Sequence, residues 1–119
     1  MKPFRSKKYM EYVRGLPCSI TGVTGQTDPH HAKGYGFGGM SCKPSDFFIM
    51  PLKHDLHQML HAQGHSWFED MYNKRQIDCV VKTLRKALQD GVIEEDRLLV
   101  DIMAVTNREY RNILEKCFV

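Results

Sequence analysis

"SDFFIMPLKHDLHQMLHAQG", residues 45–64, changes its hydrophobic period midway, and that change decides the fold. FFIMP is a compact apolar run of strand length. In the following LKHDLHQMLHAQG, residues Leu52, Leu56, Met59 and Leu60 make an apolar stripe at helical spacing, and Gly64 is placed to end it. A buried strand needs a partner, and "HHAK", residues 30–33, reads as one. The glycine-rich "GYGFGGMSCKPSD" between them reads as a long loop able to bring backbone close to a ligand. The expected unit is strand, loop, strand, helix.

The flanks read as helices. "SKKYMEYVRG" has Ser6 as candidate N-cap, Tyr9, Met10 and Val13 on one face, and Gly15 as terminator. "LPCSITGVTGQTDP" is rich in turn residues. "SWFE" at 66–69 and "TNRE" at 106–109 both have the form of a capping box, so helices are expected to start at Ser66 and Thr106 as caps. Between them, "DCVVKTLRKALQDG" turns Val80, Val81, Leu84 and Leu88 inward, and "EEDRLLVDIMAV" opens with acids suited to the positive end of a helix. The fold class expected is α+β. A small hairpin–helix core over about residues 28–64 sits inside one mostly helical domain, residues 1–119, with C-terminal helices over about 66–119.

At 119 residues the chain suffices for one compact domain, and its 42% hydrophobic content is ordinary for a globular protein. No apolar run approaches the roughly 18 residues of a membrane span. The basic start lacks the apolar stretch of a signal peptide, so a cytoplasmic location is expected. Cys18, Cys42, Cys79 and Cys117 form no C-x-x-C pair and are expected to be free thiols. Net charge is +3, but it is segregated. Residues 1–17 and 71–89 each hold five Lys/Arg against one acid, whereas residues 90–101 hold five acids against Arg97. Such a chain can turn a basic face to phosphates, or simply present solvated helix faces.

The chemistry lies in the histidines. His57 and His61, four apart, project from the same side of the expected helix one turn apart. HxxxH alone also fits two solvated histidines. With His30 from the preceding strand it offers three metal ligands, and three protein ligands with an open position characterise a working metal site. His31 is left over. Facing away from His30 along a strand, with an ordinary pKa near 6.5, it is suited to take a proton from water.

"DPHH", "SDFFIMPL" and "HDLHQMLH" together resemble the core of the HNH, or ββα-metal, endonucleases. "KKYMEYVRGLPC", "GGMSCKPSD" and "WFE" extend the likeness over about residues 5–90 to small phage and prophage HNH nucleases, including the Ref-type recombination-associated nucleases. The resemblance implies a metal-dependent endonuclease that hydrolyses DNA phosphodiesters to 5′-phosphate and 3′-hydroxyl ends. It implies His30, His57 and His61 as metal ligands, His31 as general base, and Asp46 at the middle, loop-fixing position. The ligand type suits Zn²⁺ or Ni²⁺, with Mg²⁺ or Mn²⁺ able to support turnover. Lys33 and Lys43 beside the glycine loop, and Lys82, Arg85 and Lys86 downstream, are candidate DNA contacts. DNA is the expected partner, with phage or recombination proteins implied by the resemblance. Many relatives carry C-x-x-C knuckles for a structural zinc; here Thr21 and Lys53 stand where cysteines would, so none is expected. The alternative is a non-catalytic DNA- or protein-binding module on the same scaffold.

Overall fold

The chain enters its first helix, α1 (Lys7–Arg14), through Ser6, whose hydroxyl accepts the Tyr9 amide at 3.0 Å, and leaves it at Gly15. The computed structural model describes residues 2–37 and 43–119. Strands β1 (Thr27–His31) and β2 (Ile49–Lys53) pair antiparallel, with His30 opposite Met50 and Pro29 opposite Pro51. Helix α2 (His54–Gln63) follows β2 with no intervening residue. Then come α3 (His65–Tyr72), α4 (Gln76–Gln89), α5 (Glu95–Met103), α6 (Arg108–Leu114) and a closing 3₁₀ turn, Glu115–Phe118. The result is an α+β chain with a two-stranded antiparallel hairpin among helices.

Hydrogen-bond parity explains how two prolines sit in the strands. Ala32 N donates to Phe48 O at 3.0 Å and His54 N to Gln26 O at 2.8 Å. Bonded and non-bonded pairs alternate along an antiparallel ladder, which puts Pro29 and Pro51 at a non-bonded pair. Neither removes a donor the hairpin needs.

The hairpin rests on helices: α1 lies against β1, and α4 against β2. Phe47, Ile49, Met50, Leu52, Ile77, Val80, Leu84, Leu98, Ile102 and Leu114 belong to one buried core. Among the described residues no helix is long and apolar enough to cross a membrane. Cys18, Cys79 and Cys117 are buried free thiols, whereas Cys42, with the middle of the glycine loop, lies outside the described residues. Where a zinc knuckle would need a second cysteine pair, Lys53 N instead donates to Cys18 Sγ at 3.3 Å.

Four expectations about boundaries and faces need correction. The first strand is Thr27–His31 rather than residues 30–33. Beyond Ala32, both backbone groups of Lys33 are taken by the Gln76 side chain, which draws the chain out of the ladder. Phe47 and Phe48 are buried yet precede β2; they sit in a turn where Phe47 N donates to Ser45 Oγ at 3.1 Å and Phe48 N to Ser45 O at 3.0 Å. Their apolarity reflects burial; only the Phe48 carbonyl, which accepts Ala32 N, extends the ladder. Neither capping box forms as expected. α3 starts at His65 from Gly64, leaving Ser66 inside the helix, while Asn107, not Thr106, caps α6 by accepting Tyr110 N at 3.0 Å. Finally, Met59 is 42% exposed, and α2 inserts Leu60 into the core.

Candidate metal centre

β1 and α2 bring three imidazoles together. His30 is 1% exposed, His57 is half-buried and His61 lies at the surface. One ligand nitrogen from each lies within 4.8 Å of the others, so the cluster could hold a metal ion.

The surrounding hydrogen bonds assign the tautomers of His30 and His57. His30 Nε2 lies 2.8 Å from Gln76 Oε1. The Gln76 amide cannot be turned over, because its Oε1 also accepts Lys33 N at 3.2 Å and its Nε2 donates to Lys33 O at 3.2 Å. His30 therefore donates through Nε2 and keeps its Nδ1 lone pair for a metal. His57 donates through Nδ1 to Asp28 Oδ2 at 3.0 Å, which leaves Nε2. His54 donates to the same oxygen at 2.7 Å. His61 Nε2 sits 3.0 Å from His57 Nε2, and Lys33 Nζ donates to His61 Nδ1 at 3.2 Å. The bonds from His30 to Gln76 and from His57 to Asp28 are of the kind that hold a ligating imidazole in one tautomer and orientation.

Burial pushes His30 down to about 3, outweighing the Gln76 hydrogen bond that favours its charged form, and His57, His61 and Lys33 push the same way. Between that value and its ordinary 6.5, the unfolded chain binds a proton that folded His30 refuses. The metal-free protein should therefore lose stability as pH falls through this window, by up to about 1.4 kcal/mol per pH unit. Melting of the chelator-treated protein across this range is the check; a flat midpoint would contradict the burial of a neutral His30.

His31 donates through Nε2 to Asp46 Oδ1 at 2.8 Å. Burial pulls His31 below its ordinary value, with Asp46 opposing, which favours the neutral ring, and Nδ1 has no hydrogen-bond partner among the described residues. Asp46 is itself buried; its Oδ2 accepts Ser6 N at 2.9 Å, and Arg5 approaches Oδ1 at 3.3 Å. Strand alternation gives His30 and His31 different partners, yet both border one cleft of about 310 Å³ together with His57, His61, Lys33 and Lys43. Five of the proposed site residues outside Asp46 thus gather with a sixth, Lys43, around one opening.

The remaining basic candidates lie elsewhere. Lys82 borders a different, larger cleft of about 650 Å³ with Glu69, Asp70 and Asp78. Arg85 donates to Lys116 O at 2.9 Å, and Lys86 pairs with Asp90 at 3.1 Å. The larger cleft holds none of the clustered histidines, so size does not mark the site.

Sequence reasoning missed Asp28 and Gln76. Asp28 stood inside the quoted "DPHH" and was unassigned; an acid two residues before a strand histidine shares its face. Gln76 gave only a faint signal, a polar residue that is fully buried on α4 beside Ile77 and Val80. Glu69 belongs with it, accepting Gln76 N at 2.8 Å and the Tyr35 hydroxyl.

Gly34 carries the chain past the site at φ +93°, and a Cβ there would overlap the His65 imidazole. Gly34→Ala should cost about 1–3 kcal/mol in the melting equilibrium. Adding His65→Ala should recover the steric part only, since the backbone strain remains; full recovery would show that the conformation itself costs nothing.

Fold and site together define an α+β protein with a three-histidine centre built on a hairpin and the helix that follows it. The chain belongs to the family described as "Protein of unknown function (DUF968)", whose model matches residues 1–91. It is similar to "Uncharacterized protein YdfU" of Escherichia coli (strain K12), 37% identical over 87 residues. That match covers 73% of this chain and 24% of the relative, so the chain spans about a quarter of that protein's length. No solved structure matches it.

Proposed function

We propose that the protein is a metal-dependent DNA endonuclease of the HNH, ββα-metal type, encoded by a phage or prophage and acting in the cytoplasm of its host. The observation that carries this reading is one cleft bordered by both a three-imidazole cluster and a separate histidine held by a buried carboxylate. His31 Nδ1 accepts a proton from water as the water oxygen attacks phosphorus. Its Nε2–H stays on Asp46, whose charge stabilises the imidazolium that forms. The P–O3′ bond breaks and O3′ takes a proton from solvent water, giving a 5′-phosphate and a 3′-hydroxyl, while the imidazolium returns its proton to solvent. His30 Nδ1, His57 Nε2 and the His61 ring would hold the metal, which would supply charge stabilisation at the phosphorane and the departing oxygen. Three imidazoles suit Zn²⁺ or Ni²⁺, with Mg²⁺ or Mn²⁺ as ions for turnover. Lys33 and Lys43, exposed at the cleft, are placed to contact backbone phosphates.

Nicking of supercoiled plasmid across a panel of these metals, with a chelator control, tests the reading. Metal-dependent nicking supports it. Salt-sensitive DNA binding without nicking at any metal would instead favour the binding-module alternative. Replacing Lys33 or Lys43 by Gln should flatten the slope of log affinity against log salt by about 0.9 each on duplex DNA. Replacing Lys82, Arg85 and Lys86, none of which borders that cleft, should flatten the slope further only if DNA also reaches α4.

A further inference from the structure

Two buried carboxylates tie the strap at residues 4–6 to the turn at residues 45–47, one from within that turn and one from α5. Asp46 is one. Asp101, on α5 and 6% exposed, is the other. Asp101 Oδ2 accepts Phe4 N at 2.9 Å and the Ser45 hydroxyl at 2.7 Å, while Oδ1 accepts Arg97 Nη1 at 2.6 Å. Ser45 immediately precedes Asp46. On the other side, Asp46 N donates to Phe4 O at 2.9 Å and Asp46 Oδ2 accepts Ser6 N at 2.9 Å. The Phe4 ring lies flat on Phe47, centroids 3.8 Å apart and planes 5° from parallel. The carboxylate that meets His31 is thus held through both of its chain neighbours, Ser45 and Phe47, and through the strap at residues 4–6.

The neighbouring inward residues of α5, Leu98 and Ile102, are apolar and fully buried. A buried carboxylate at position 101 costs solvation that another leucine there would not, and what it gains is directional: fixed bonds to the Phe4 amide and the Ser45 hydroxyl. We infer that Asp101 is a positioning residue for the His31–Asp46 pair. Through Ser45 and Phe4 it sets where the Asp46 carboxylate stands, and Asp46 sets the tautomer and orientation of His31. This assigns a task to the helix beyond residue 91, where the family match ends. The inference rests on His31 being the general base, but its structural half can be read without any cleavage.

The test compares wild type with Asp101→Asn by long-range ¹H–¹⁵N spectra of the histidine rings, by zinc calorimetry and by nicking at saturating metal. Asp101→Asn keeps the size of the side chain but places an NH₂ among donors. The expected result is a His31 ring that no longer shows a single Nε2–H tautomer, wild-type zinc affinity, and nicking slowed about 10–100-fold, the scale of a small misplacement of a catalytic group. A folded Asp101→Asn protein with unchanged His31 spectra overturns the inference. If wild type does not nick, the nuclease reading falls, and the ring spectra still decide whether Asp101 holds His31. Should Asp101→Asn fail to fold, Ser45→Ala removes one donor to Asp101 together with the acceptor of the Phe47 amide, Ser45→Thr keeps both as its control, and both are read by the same spectra, with the same outcomes supporting or overturning.

Discussion

Replacing His31 by alanine is expected to slow plasmid nicking about 10²–10⁴-fold, the usual cost of losing a general base. Zinc affinity should stay at its wild-type value, because none of the three clustered ligand nitrogens belongs to His31. His30→Ala is the counterpart. It removes the buried member of the cluster, so metal uptake itself should weaken, and excess metal should recover part of the lost rate. Since burial lowers His31 below its ordinary value, the wild-type rate should climb with pH and level off before the usual imidazole range is passed. A His31→Ala protein that cuts at the wild-type rate would sink the proposed mechanism. Loss of metal in His31→Ala but not in His30→Ala would exchange their roles.

The second large effect is expected at a residue that touches no substrate. Gln76→Leu should lower zinc affinity about 10–100-fold, as loss of an outer hydrogen bond to a ligating histidine typically does. It should also destabilise the protein by about 1–3 kcal/mol for each buried group left unpaired, and Gln76 satisfies His30 Nε2 and both backbone groups of Lys33. Gln76→Glu separates the two consequences. A carboxylate can still accept from His30 and from the Lys33 amide but cannot donate to Lys33 O. It should therefore retain more metal affinity than Gln76→Leu. Equal zinc affinity in wild type and Gln76→Leu, measured by calorimetry, would show that His30 needs no such partner.

The three-histidine cluster was legible in the sequence because helical spacing is local information. His57 and His61 must share a face wherever a helix forms, and a strand ahead of it can add one more imidazole. The long-range partners of the site were not legible. Gln76 meets His30 from 46 positions away, and Asp101 meets Phe4 from 97. No periodicity links such pairs; only the packing of α4 and α5 against the rest of the chain brings them together. Strand boundaries were misread for a different reason. Phe47 and Phe48 are as buried as any strand residue, but an apolar run reports burial and cannot report which amides pair. The caps slipped by a smaller margin. Thr106 and Asn107 both have suitable side chains, and the choice between them is made by where α6 meets the core.

The proline pair at the middle of the hairpin has a consequence for how copies of the protein behave together. Pro29 and Pro51 sit opposite each other at positions whose backbone groups face outward from the two strands. Neither carries an amide hydrogen there, and the outward carbonyl of Pro51 already accepts Ser19 N at 2.9 Å. A foreign strand seeking to extend the sheet finds its central donor missing on either side. At this point the hairpin offers a neighbouring molecule no amide donor through which to zip into aggregates.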